Sequence, residues 1–226
     1  MPDLRTALLR LPFVSEKADG TLNLWDVTPT GNRARDIEQG RMFTAWMLHL
    51  MREYDAAHML FHFCEAVRRA EARPGHEDVL AGTAFELGDI LQHCNCGHPL
   101  LRLTVGYTFS GDLREAALRL PFVVERADGS LDFGAGSRAG VYENVQSRGR
   151  FHGSLFCKML RDTGHPSIVA VMVASRDPER VSGPYEIGFM TAIAEIAMSC
   201  SEAATVHQRA VRELYVASKR ASRAAA

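Results

Sequence analysis

Residues 5–22 read RTALLRLPFVSEKADGTL, and residues 114–131 read REAALRLPFVVERADGSL. Thirteen of the eighteen positions are identical at a constant offset of 109, where unrelated segments of ordinary composition would share about one. The same offset aligns Gly31 with Gly140, and Gly40-Arg41 with Gly149-Arg150. At an offset of 106, Gly82 meets Gly188, Asp89 meets Glu195 and Cys94 meets Cys200. The chain therefore reads as an internal tandem duplication, with one copy over residues 1–110 and the second over residues 111–226.

The copies inform each other's local structure. In each, Pro-Phe-Val opens a short strand and Ala-Asp-Gly makes a turn, because glycine tolerates the positive φ that tight hairpins require. Return strands are expected at 22–27 and 131–133. Helices follow at 34–54 and 142–162, where Ile37, Met42, Ala45, Trp46 and His49 fall near helical spacing. In the second copy Gly164-His165-Pro166 breaks the helix, and the β-branched run 168–173 predicts a buried strand. By analogy 58–66 is read as a strand as well. Closing helices are expected at 77–93 and from 185 onward, the second continuing toward 218 as a C-terminal extension. The alternating segment PLLRLTVGYTF, 99–109, predicts an extra strand bridging the copies. The expected fold class is α+β: a duplicated β-hairpin/helix/strand/helix module in a pseudo-twofold arrangement.

Composition narrows the function classes. A net charge of −1 over 226 residues gives the whole molecule no electrostatic case for nucleic acid. No apolar run approaches the roughly 20 residues of a membrane helix. The first fourteen residues carry Arg5 and Arg10 and lack a signal-peptide core. Five scattered cysteines fit a reducing compartment, so a cytoplasmic protein is expected.

Several constellations invite a chemical reading. His93, Cys94, Cys96 and His98 are close in sequence, and His58, His62 and Cys64 would share a strand face, as zinc ligands do. The duplication speaks against both sets. Cys94 matches Cys200, which has no neighbouring ligands, while His58, His62 and Cys64 match Ser167, Val171 and Val173. No metal or cofactor is assigned.

The loop Gly134-Ala135-Gly136-Ser137-Arg138 precedes a helix, as phosphate loops do, but it follows a hairpin and not a βαβ unit. Arg10 and Arg119, Glu16 and Glu125, Asp19 and Asp128, and Arg41 and Arg150 are polar residues kept in both copies, which suits ion pairs and turns or a twice-repeated anion site. The tail from His207 is basic, with Tyr215 as its lone aromatic, and reads as a solvated helix.

Two function classes follow. One is a non-catalytic binding or regulatory protein that meets a protein partner or self-associates. The other is a small-molecule-binding protein or enzyme with a site at the seam between copies, built from Trp25, His58, His62 and Trp46 of the first and Gly134, Gly136 and Arg138 of the second.

Overall fold

The computed structural model describes residues 3–71, 73–94, 97–136, 139–175 and 183–200. It is mostly helical, with two small β-hairpins. The elements run α1 (Leu4–Leu8), β1 (Ser15–Glu16), β2 (Leu22–Asn23), α2 (Arg33–Glu53), α3 (Met59–Glu71), α4 (Glu77–Gln92) and α5 (Pro99–Arg102). They continue with α6 (Leu113–Leu118), β3 (Val124–Glu125), β4 (Leu131–Asp132), α7 (Tyr142–Thr163), α8 (Ile168–Ala174) and α9 (Pro184–Met198). No helix among the described residues is long and apolar enough to cross a membrane.

The hairpins lie where the Ala-Asp-Gly turns place them, with Ser15 opposite Asn23 and Val124 opposite Asp132. Gly20 and Gly129 take φ of 77° and 81°. Asp19 accepts from the Thr21 backbone N–H and hydroxyl at 2.9 and 2.7 Å. Asp128 does the same for Ser130 at 2.9 and 2.6 Å. The strands are shorter than expected. Pro-Phe-Val is a turn that drives Phe13 and Phe122 into the interior, where both are fully buried.

Short helices precede both hairpins. Arg5 on α1 pairs with Glu16 at 2.9 Å and donates to the Gly20 carbonyl at 2.8 Å. Arg114 on α6 pairs with Glu125 at 2.7 Å and donates to Gly129 at 2.9 Å.

Three expected strands are helical or irregular. Residue 58 is in a turn and 59–66 belong to α3, whose buried Leu60, Phe63, Cys64, Val67 and Ala70 follow the helical period. Residues 168–173 belong to α8, where Ile168, Val169 and Met172 are buried on one face while Val171 is exposed. Burial of that stripe overrides the β-preference of its branched residues. Segment 99–109 starts as the one-turn α5, with Pro99 at its first position, and continues as turns. Its alternation does not reflect two sheet faces, since Leu101 is buried while Leu103 and Val105 are exposed. The expected C-terminal extension lies outside the described residues.

The long helices pack in two close pairs, α2 with α4 and α7 with α9. Glycine makes the approach possible. A methyl group on Gly40 would overlap the Val79 carbonyl, and one on Gly82 the Ile37 carbonyl. In the second pair Gly149 faces the Tyr185 carbonyl and Gly188 that of Gln146, positions related to the first set by the sequence offsets. Threonine hydroxyls span the first crossing: Thr83 on α4 reaches the Gly40 carbonyl at 3.4 Å, and Thr44 on α2 reaches the Thr83 carbonyl at 3.3 Å.

The pairs meet through α4 against α7 and α8, and α9 against α2 and α3. Gly88 abuts the Pro166 backbone. Cys94 donates its thiol to the Ile196 carbonyl and Cys200 donates to that of Ile90, each at 3.2 Å. The buried apolar residues form one continuous core across both halves.

Candidate functional site

The residues expected to form a seam site are not gathered into one. Trp25 is in the core of the first half, against Phe43 and Phe63. Its indole N–H donates to His76 Nδ1 at 3.4 Å. That bond needs a neutral imidazole, and burial followed by the Arg73 charge lowers the His76 pKa. Trp46 is also core, packed on Phe13 and Phe43. His58, in the turn before α3, and His62, on α3, are both exposed and meet edge to face at 6.3 Å. They stand four residues apart on one side while Cys64 turns inward, so the shared strand face does not exist.

The described part of the glycine loop, 134–136, is held against its own hairpin and α9. The Gly134 N–H donates to Asp132 at 2.6 Å, and Gly136 packs on the Tyr185 hydroxyl. That hydroxyl is 2.8 Å from His152 Nδ1, and the imidazole stacks on Phe122 at 4.9 Å. Desolvation, helped by the Arg148 charge, pushes His152 down to about 4. Arg138 lies outside the described residues. The His152–Tyr185 pair was not legible beforehand, because the matching positions in the first copy are Phe43 and Val79.

The His/Cys run 93–98 is likewise dispersed. His93 donates Nδ1–H to the Asp89 carbonyl at 2.8 Å, and His98 accepts from the Leu100 N–H at 3.3 Å as cap of α5. Cys94 is buried beside Cys200, whose thiol, together with desolvation, raises its pKa. Cys96 lies outside the described residues. Among those described, no group of three or more His, Cys, Asp or Glu is placed to hold a metal ion.

The kept polar residues divide. Glu16 and Glu125 pair with Arg5 and Arg114, not with Arg10 and Arg119, which are exposed after α1 and α6. Arg5 and Arg114 stand first in the repeated signature, so both were available to sequence reading. Arg150 holds Glu195 in a two-pronged pair at 2.9 and 2.6 Å. Its counterpart Arg41 reaches Asp89 at 3.2 Å and Glu86 at 3.6 Å. Glu86 is pushed up to about 7. Desolvation exceeds the relief that Arg41 gives, and Asp89 and Glu38 add repulsion.

Glu86 and His152 give opposite pH dependences. Glu86 holds its proton more tightly folded than unfolded, so its contribution is fully present below about pH 4.5 and is lost as pH rises to about 7. His152 resists protonation when folded, so its contribution is present above about pH 6.5 and is lost as pH falls to about 4. Each is worth on the order of 3 kcal/mol, at about 1.4 kcal/mol per pKa unit. They offset each other through the acidic range. Glu86→Gln removes one arm. Urea unfolding of this variant is expected to show stability falling between pH 8 and pH 4.5 by about 3 kcal/mol more than in the wild type. A pH profile parallel to the wild type would contradict the assignment.

Two cavities are lined by described residues outside these clusters. One, of about 190 Å³, lies where α3 and α4 meet α8 and is lined by Val67, Arg68, Glu77, Leu80, Ala81, Ala170 and Val173. The other, of about 330 Å³, lies between the 101–108 segment and α7, with Arg102, Tyr107, Lys158 and Arg161 at its wall. Asp162 pairs with Lys158 at 2.7 Å and Arg161 at 3.4 Å. Compared with protein-family models, curated proteins and solved structures, the chain matches none.

Proposed function

We propose that this chain is a non-catalytic binding protein of the cytoplasm, made of two copies of one hairpin-and-helix module packed about a pseudo-twofold axis, with its partner surface on the segment joining them. The observation that carries this reading is the exposure of Leu103, Val105 and Tyr107, 60%, 82% and 41% accessible, at every second residue after α5. Large apolar side chains clustered in water favour burial against another molecule. The adjoining cavity adds Arg102, Lys158 and Arg161 against the carboxylate of Asp162. The partner this surface fits is a protein segment presenting apolar side chains beside a carboxylate.

The internal roles of Arg5, Arg114, Asp19, Asp128 and Arg150 support the non-catalytic reading, since the polar groups repeated in both copies hold the fold. The duplication is supported by the recurrence of the same glycine crossings and hairpin latches at the sequence offsets. The buried thiols of Cys64, Cys94, Cys157 and Cys200, none of them in a disulfide, suit a reducing compartment.

Placing a photocrosslinking residue at 105 tests the surface. A discrete crosslinked partner, weakened at least tenfold by Leu103→Asp at unchanged melting temperature, is the expected result. A crosslink to a second copy of the chain, matched by a dimer in sedimentation, would make the function self-association. Absence of any crosslink in the native extract would contradict the assignment of this surface.

A further inference from the structure

We propose that the cavity between α3, α4 and α8 is a binding site for a small aliphatic α-amino acid. The site goes beyond the partner surface at 103–107 and uses different residues. Its walls come from both halves: Leu80 and Ala81 on α4 face Ala170 and Val173 on α8, with Val67 on α3. At about 190 Å³ the space exceeds the roughly 150 Å³ of an apolar cavity that accepts a benzene ring. A branched aliphatic side chain fits it, and a nucleotide does not.

The charges on the wall define the rest of the ligand. Arg68 is 92% buried by its side chain, which is 8% accessible. One of its terminal nitrogens pairs with Glu65 at 3.0 Å, and its Nε–H has no hydrogen-bond partner among the described residues. A guanidinium offers five donors, and a buried donor left unmatched is costly. A ligand carboxylate supplies the missing acceptor through a charge-assisted bond. Glu77, at the start of α4, lines the same cavity. With Glu65 already neutralising Arg68, a simple carboxylate would add negative charge beside Glu77. A ligand that also carries an ammonium group meets Glu77 with the opposite sign. One cation, one carboxylate with no ion pair among the described residues, and an aliphatic lining together match a zwitterion with a hydrocarbon side chain.

The test is titration calorimetry and thermal shift on the full chain with L-leucine, 4-methylpentanoate (no ammonium) and 3-methylbutylamine (no carboxylate). Saturable binding of leucine is expected, with each analogue at least tenfold weaker. Glu77→Gln, a change at an exposed position, should weaken leucine at least tenfold. Ala81→Phe should abolish binding by filling the cavity, at retained circular dichroism. Arg68→Met tests the carboxylate contact. If that variant fails to fold, the 3-methylbutylamine arm carries the same question on the wild-type protein. Equal binding of leucine and either analogue would overturn the amino-acid assignment. No saturable binding at tens of millimolar leucine, or leucine binding unchanged by Glu77→Gln and Ala81→Phe, would overturn the site.

Discussion

Gly82→Ala is expected to destabilise the protein by about 3 kcal/mol or more, although alanine in place of glycine within a helix ordinarily stabilises it by about 1 kcal/mol. The sign reverses because the added methyl would occupy the space of the Ile37 carbonyl. Backbone cannot rotate aside as a flexible side chain can, so α2 and α4 must separate. Separation opens gaps along the whole crossing, and overpacking that forces side-chain and backbone shifts typically costs about 1–3 kcal/mol, occasionally more. It also weakens the bond from the Thr83 hydroxyl on α4 to the Gly40 carbonyl on α2. Gly188→Ala should behave alike against the Gln146 carbonyl. Gly97→Ala is the control: nothing lies within 4 Å of a methyl group there, and its effect should be within about 0.5 kcal/mol. Urea unfolding of the three variants measures the differences. A Gly82→Ala protein as stable as wild type would mean that the helices do not approach as closely as described.

Phe122→Ala should cost about 3–5 kcal/mol, the usual range for a buried phenylalanine. The ring is wholly inaccessible, stacked on His152 at 4.9 Å and edge-on to Phe189 at 5.4 Å. Its loss also removes the cover that keeps His152 neutral. The variant's His152 should therefore titrate higher than about 4, which proton NMR of the imidazole reads directly. Phe13 holds the matching place in the first half, 4.4 Å from Phe43 and 5.9 Å from Phe63. It should show a similar penalty.

Much of the fold was legible because repetition supplied a second reading of each segment. The hairpin turns, the helices 33–53 and 142–163, and the helices 77–92 and 184–198 all follow from patterns visible in the chain. The strand assignments failed for a physical reason. Ile168-Val169-Ala170-Val171-Met172-Val173 is short, and a buried short apolar run has no decisive period. In and after 58–66, the helical spacing of Leu60, Phe63, Cys64, Val67 and Ala70 is the clearer signal.

The site was harder still. Arg68 and Glu77 are unremarkable on helix faces until the packing of α8 closes a space between them. The His and Trp residues that drew notice are rare residue types, and rarity marks no location.

The α2/α4 and α7/α9 helix pairs share one buried core across their seam. Differential scanning calorimetry of the full chain and of Phe122→Ala measures whether they unfold together. One transition is predicted for each protein, with calorimetric and van't Hoff enthalpies equal. The whole transition should move downward in the variant, although Phe122 belongs to the second half alone. Two resolved transitions in the wild type, only one of them displaced by Phe122→Ala, would show independent halves and contradict the account.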